Sequence, residues 1–175
     1  LLFGFGISMQ ALKMFDENKL SFSFFARRML ILFIFGILHI VFIWSGDVLN
    51  LYAIIGLFTT LMIKRSNRLI LVLSVIFLFF PFYDQFFEYL FGLLNFQPEI
   101  YLNEYTGDTV NQTIRNGSYY QGVKLRLLEY LSNIPILFGF LAPIAISMFL
   151  LGLYLGKNKI YNSMDTFIEQ IKKPI

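Results

Sequence analysis

"RMLILFIFGILHIVFIWS", residues 28–45, decides the fold. From Met29 to Trp44 it contains no acid, Lys or Arg, and its one ionisable side chain, His39, is the only histidine of the 175-residue chain. A membrane-spanning helix needs about 20 mainly apolar residues, within a range of roughly 17–25, and this run meets that length. Working outward, four further apolar runs follow the same logic. Residues 1–15 read as the tail of a helix whose start is missing, and residues 48–64, "VLNLYAIIGLFTTLMIK", as a rather short span. Residues 68–94 stay strongly apolar to Tyr83 and continue amphipathically, with Pro81 as a kink. Residues 131–155 carry two prolines, which membrane helices tolerate better than soluble ones. The expected fold is all-α, a polytopic transmembrane helix bundle with about five spans. The chain opens on Leu1 in mid-run without an initiator Met, so it reads as a fragment of one integral membrane domain.

Composition agrees. Hydrophobic residues are 57% and charged residues 14%, with mean hydropathy +0.67; soluble domains have about 45–50% apolar and about 25% charged residues. The net charge of +3 does not indicate nucleic acid, because the basic residues form small clusters between apolar runs and not a patch interleaved with aromatics. Cysteine is absent, which excludes disulfides, thiolate chemistry and Cys-ligated metals. No secretory signal pattern is visible.

The basic clusters set an orientation. Lys13, Lys19, Arg27 and Arg28 lie in the first connection; Lys64, Arg65 and Arg68 in the third; Lys157, Lys159, Lys172 and Lys173 after the last span. These alternate connections hold 11 of the 14 Lys and Arg residues. The positive-inside rule places them in the cytoplasm. The Ser45–Asp47 turn and the long connection 95–130 then face outward, and the tail 156–175 returns inside, as expected of a multi-pass protein of the cell (inner) membrane. Connection 95–130 is polar and rich in Asn, Gly and Tyr, with an amphipathic helix predicted from Tyr120 to Tyr130. Two glycosylation sequons, at Asn111 and Asn116, carry no meaning in a bacterial protein.

Few side chains suit chemistry. His39 lies about six residues, roughly 9 Å, inside the outer end of its predicted span. At that depth an ionisable group faces the bundle interior or a water-filled cavity. It reads either as a general base or relay, or as a neutral ring bonded to a neighbouring helix. Asp47 precedes the third span, where its carboxylate can cap free N–H groups; it also stands as a catalytic candidate beside His39. Trp44 reads as an interfacial aromatic or as the wall of an outward pocket. Asp84 and Glu88, four apart, share a helix face and are the other pocket candidates, against a solvated outer face. Arg27 and Arg28 read as a basic anchor or as contacts for an anionic cytoplasmic ligand. No metal set is apparent, one histidine without Cys or acidic partners being poor ground for one. Gly4 with Ser8, and Gly152 with Gly156, fit small-residue helix packing.

The stretches "LLFGFGISMQ", "ARRMLILFIFGILHIVFIWSGDVLNLYAIIGLF", "NGSYYQGVKLRLLEYL" and "MFLLGLYLGKNKIY" resemble, in order, the YeiB-like family of multi-pass bacterial membrane proteins, long described as of unknown function. His39, Trp44, Gly46 and Asp47 match its signature residue by residue. That family is similar to membrane-embedded acyltransferases, including the heparan-glucosaminide acetyltransferase group, which move an acyl group from a cytoplasmic donor to a sugar. The resemblance implies acyl-coenzyme A as donor and an extracytoplasmic small-molecule or glycan acceptor. The best-known histidine of the acyltransferase group lies in an upstream helix absent from this chain, so no catalytic residue carries over from it. Three functions are thus expected in order: an acyltransferase-like enzyme with His39 oriented by Asp47, a transporter or transport-associated protein, and a non-catalytic membrane scaffold.

Overall fold

Apolar residues without charge fold as helices because each backbone N–H and C=O then finds its partner within the same segment. A computed structural model describes residues 1–16, 21–79, 83–103, 105 and 107–159 and has eight α-helices among them. They are α1 (Leu2–Asp16), α2 (Phe22–Phe42), α3 (Leu49–Met62), α4 (Asn67–Phe79), α5 (Tyr83–Leu93), α6 (Gly107–Asn116), α7 (Tyr119–Ser132) and α8 (Ala142–Lys157). A 3-10 turn covers Pro98–Leu102, and a wide π-type turn over Ile136–Leu141 leads into α8. The described part is all-helical, as the composition requires.

Two helices are long and apolar enough to cross a membrane: Phe22–Phe42, with 21 residues, and Ile136–Lys157, with 22. Among the described residues that is two where five were expected. Helices α3 and α4 are apolar but have only 14 and 13 residues, about 20 Å of rise each against a hydrocarbon core of about 30 Å. Helix α3 ends in a tight turn, where the Ile63 and Arg65 N–H groups bond back to Thr60 and Met62. The predicted span 68–94 is described as α4 and α5, and residues 80–82 between them, with the kink predicted at Pro81, lie outside the described residues. Conversely, α2 starts at Phe22, six residues before the predicted Arg28, because arginine interrupts an apolar window without interrupting a helix. The predicted span 131–155 begins later, at the wide turn. There the Ala142 N–H reaches five residues back to the Leu137 carbonyl, as the flanking Pro135 and Pro143 offer no N–H of their own.

The chain forms two compact units. The first comprises Leu1–Arg27, Ile55–Phe79 and Ile144–Ile175, of which 160–175, with Lys172 and Lys173, lie outside the described residues. Its helices meet through small side chains. A Cβ on Gly4 would stand 1.9 Å from the Phe149 carbonyl oxygen, and one on Gly156 1.5 Å from Ser8 Oγ. Backbones this close require the glycines, and the order of the contacts makes α1 and α8 parallel. Phe3 stacks on Phe149 at 4.8 Å. Helix α4 runs antiparallel to α8, with Ile70 buried against Leu150 and Leu153 and Ser74 donating to the Ser147 carbonyl at 2.9 Å. A second apolar cluster joins Ile7, Ala11 and Phe25. At one end Lys157 Nζ donates to the Arg65 carbonyl at 2.6 Å, and Asn67 to Asn158 at 2.8 Å. The basic turn before α4 and the basic end of α8 therefore share that end.

The second unit comprises Arg28–Ile54 and Phe80–Pro143. Helix α2 and the start of α3 form a close antiparallel hairpin, in which a Cβ on Gly36 would lie 2.5 Å from the Asn50 nitrogen. The segment predicted as a long outer loop is largely helical. Helix α7 matches the amphipathic helix predicted there and opens with a capping box in which Ser118 and Gln121 bond reciprocally. Helix α6 was not anticipated; Asp108 in its first turn and Arg115 in its last complement the helix dipole.

Candidate functional site

Helix α2 ends three residues after His39, not six. The His39 carbonyl accepts both the Ile43 N–H at 2.8 Å and the Trp44 N–H at 2.9 Å, and this doubled bond stops the helix. His39 thus lies in the last turn of α2, about 4.5 Å of rise from its end. Gly36, three positions earlier, shares its face and lets α3 come close. Across that gap His39 Nδ1 stands 3.1 Å from Asp47 Oδ2, with the histidine side chain one-third exposed and the aspartate 8% exposed. At that distance the ring nitrogen and the carboxylate oxygen are within reach of each other. Both atoms lack a partner by hydrogen-bond geometry, so the ring N–H is not in line with the carboxylate, and a small ring rotation would be needed to align it. The other oxygen, Asp47 Oδ1, accepts the Leu49 N–H at 2.9 Å. One carboxylate therefore both caps α3 and faces the histidine.

Around this pair α7 supplies polar side chains that sequence reasoning did not single out. Ser45 Oγ donates to Glu129 Oε2 at 2.7 Å. The buried Asn50 donates through Nδ2 to the Tyr130 hydroxyl. Burial raises the Tyr130 pKa above the ordinary tyrosine value; the Asn50 hydrogen bond opposes that rise, and the negative charge of Asp47 adds to it. Arg126 donates from Nε to the Val41 carbonyl at 3.0 Å, meeting one of the free carbonyls at the end of α2. Its guanidinium also lies 5.6 Å from the centre of the Tyr119 ring. Two signals could have found these residues. Asn50 is polar within an apolar run, the same feature that drew attention to His39, and Arg126 and Glu129 share a face of an amphipathic helix at i, i+3.

Beside the pair lies an open groove of ≈ 640 Å³ whose lining includes Trp44, Ser45, Ile114, Tyr119, Arg126 and Glu129. Trp44, placed on a pocket wall by one sequence reading, does line this groove. Glu88 is exposed on α5 and is not among its lining residues. Asp84 is in the backbone of α5, but its side chain lies outside the described residues. His39 and Asp47 do not line the groove. Arg27 and Arg28 are exposed in the second turn of α2; Arg28 precedes His39 by eleven residues, about 16 Å of rise, so the arginines are not brought to the histidine. Among the described residues no group of three His, Asp or Glu gathers that could hold a metal ion.

No family model matches the chain. Over 74 residues it is 32% identical to "Uncharacterized protein YxaH" of Bacillus subtilis (strain 168). The match covers 42% of this chain and 18% of that protein, so the chain spans less than a fifth of the relative's length. No solved structure matches.

Proposed function

We propose that this chain is part of a multi-pass membrane protein of the YeiB-like kind that transfers an acyl group to an extracytoplasmic acceptor, with His39 as general base. The observation that carries the reading is the 3.1 Å approach of Asp47 to His39 Nδ1. A carboxylate this close can orient the ring through Nδ1 once the N–H turns into line, leaving Nε2 to meet a substrate, the division of labour that makes a His–Asp pair a base. In the step proposed, Nε2 takes the proton of an acceptor hydroxyl or amine as that atom attacks the thioester carbonyl of an acyl-coenzyme A. The carbon–sulfur bond breaks, and the departing thiolate takes up the proton. Arg27 and Arg28 supply positive charge at the donor's side.

The five-span topology belongs to the same proposal. It is supported by α1 and α8 running parallel towards Lys13 and Lys157, and by α4 starting at the same end with Lys64, Arg65 and Arg68 before and within its first turn. Helices α3 and α4 would cross with local thinning of the bilayer or snorkelling of their flanks. The test is acyl-coenzyme A binding and acyl transfer by the full-length protein in lipid. His39→Gln should lower transfer by roughly 10²–10⁴-fold without loss of helix content, and Asp47→Asn by less. Failure to bind acyl-coenzyme A, or undiminished transfer by His39→Gln, sinks the reading. Substrate flux into proteoliposomes without transfer would replace it with transport.

A further inference from the structure

The groove between the Ile43–Ser45 turn and helices α6 and α7 carries chemistry that the His39–Asp47 pair does not use. Its ≈ 640 Å³ falls within the range of about 300–1,000 Å³ usual for small-molecule sites. The charged residues lining it are one arginine and one glutamate, Arg126 and Glu129, spaced i, i+3 on α7, which puts their Cβ atoms about 5–6 Å apart. Arg126 uses Nε on Val41, its Nη2 is shielded from solvent without an acceptor, and the guanidinium brings its positive charge and remaining donors to the groove lining. Gly122 leaves the guanidinium room to fold back along the helix, since even a Cβ there would be 3.5 Å from Arg126 Nη1. Glu129 accepts from Ser45 through Oε2 and keeps further acceptor capacity for a cation. Trp44 and Tyr119, 61% and 64% exposed, add aromatic rings that attract an ammonium. A simple anion would meet the Glu129 carboxylate, and a simple cation the Arg126 guanidinium. A ligand that carries both charges a few ångström apart satisfies both side chains.

We propose that this groove binds a phosphate–ammonium zwitterion of the ethanolamine phosphate class, its phosphate on Arg126 and its ammonium between Glu129 and Trp44. Such a group can arrive free or as a lipid headgroup. The proposal is independent of acyl transfer. Trp44 is the only tryptophan of these 175 residues, so an emission change seen in the parent and absent from Trp44→Phe reports from the groove. Full-chain protein in phosphatidylglycerol nanodiscs is titrated with O-phosphoethanolamine and with inorganic phosphate; in a second arm the nanodiscs are doped with phosphatidylethanolamine. A saturable change in Trp44 emission is expected with soluble O-phosphoethanolamine if the ligand is free, or with doping alone if it is a headgroup. Arg126→Gln and Glu129→Gln should each weaken it at least tenfold, whereas His39→Gln should bind as the parent does. If Arg126→Gln loses helix content, Glu129→Gln, which keeps an acceptor for Ser45, carries the comparison. An equal response to inorganic phosphate, no saturable response in either arm, or unchanged affinity in Glu129→Gln overturns the proposal.

Discussion

The two units hold their helices together by opposite means. In the first, α1 and α8 meet through glycines and Ser8, with apolar side chains around them, and its interhelical hydrogen bond at Ser74–Ser147 is neutral. In the second, α2, α3 and α7 meet through Asp47, Asn50, Ser45, Glu129, Arg126 and Tyr130. Close backbone packing gives stability without chemistry. A cluster of ionisable and hydrogen-bonding groups is costly to assemble among apolar helices, and the described residues of the second unit carry one around His39 and Asp47.

The contrast can be broken first where packing is tightest. Gly152→Val would place a Cβ 2.0 Å from the Leu1 carbonyl oxygen; a loss of about 3 kcal/mol is expected from such overpacking, read by unfolding in detergent. A stability within 0.5 kcal/mol of the parent, on the scale of about ±0.5 for indifferent sites, would refute the close approach of α1 and α8. Next, Asp47→Ala should cost about 2 kcal/mol, since it removes the cap on Leu49 and the group facing His39. Asp47→Asn keeps the cap and should cost about half as much; equal losses would mean that the cap accounts for nothing. Tyr130→Phe should cost about 1 kcal/mol by leaving Asn50 without its acceptor. It should also change the alkaline limb of the stability curve. Because the folded Tyr130 pKa is raised, its contribution is fully present below the ordinary tyrosine value near 10 and is lost as pH rises through the raised value. The phenylalanine variant should lack that decline. Smallest of all, Ser118→Ala should cost about 0.5–1 kcal/mol through the capping box of α7, visible as earlier amide exchange at Gln121.

Much of this was legible in the sequence, and the rest was not for physical reasons. The uninterrupted run of α2, the helical periodicity of α7, the cap at Asp47 and the small-residue faces at Gly4, Ser8, Gly152 and Gly156 are local patterns with a period or a fixed spacing. Helix ends were misplaced where the hydrophobic window and the helix differ. Arg27 and Arg28 lie inside α2, as the sixth and seventh residues of a helix expected to start at Arg28. Helix α6 was missed because its sequence, "GDTVNQTIRN", is polar on average and has only Val110 and Ile114, four apart, to mark an apolar side. The bonds of Ser45 to Glu129, Val41 to Arg126 and Asn50 to Tyr130 join residues 80 or more positions apart, and no period in a single sequence encodes such pairings. For the candidate site, the sequence supplied His39, Asp47 and Trp44, while every partner on α7 came from the fold.

The parallel pairing of α1 with α8 also constrains how the protein is made. Gly4 and its partner Phe149 are separated by 145 positions, a stretch that a ribosome extending at about 5–20 residues per second completes in roughly 7–30 s. Throughout that interval the glycine face of α1 has no mate of its own and must be sheltered by lipid, by another helix or by the insertion machinery. A glycine face that waits for a helix 145 positions further on cannot be buried in the order in which the chain emerges.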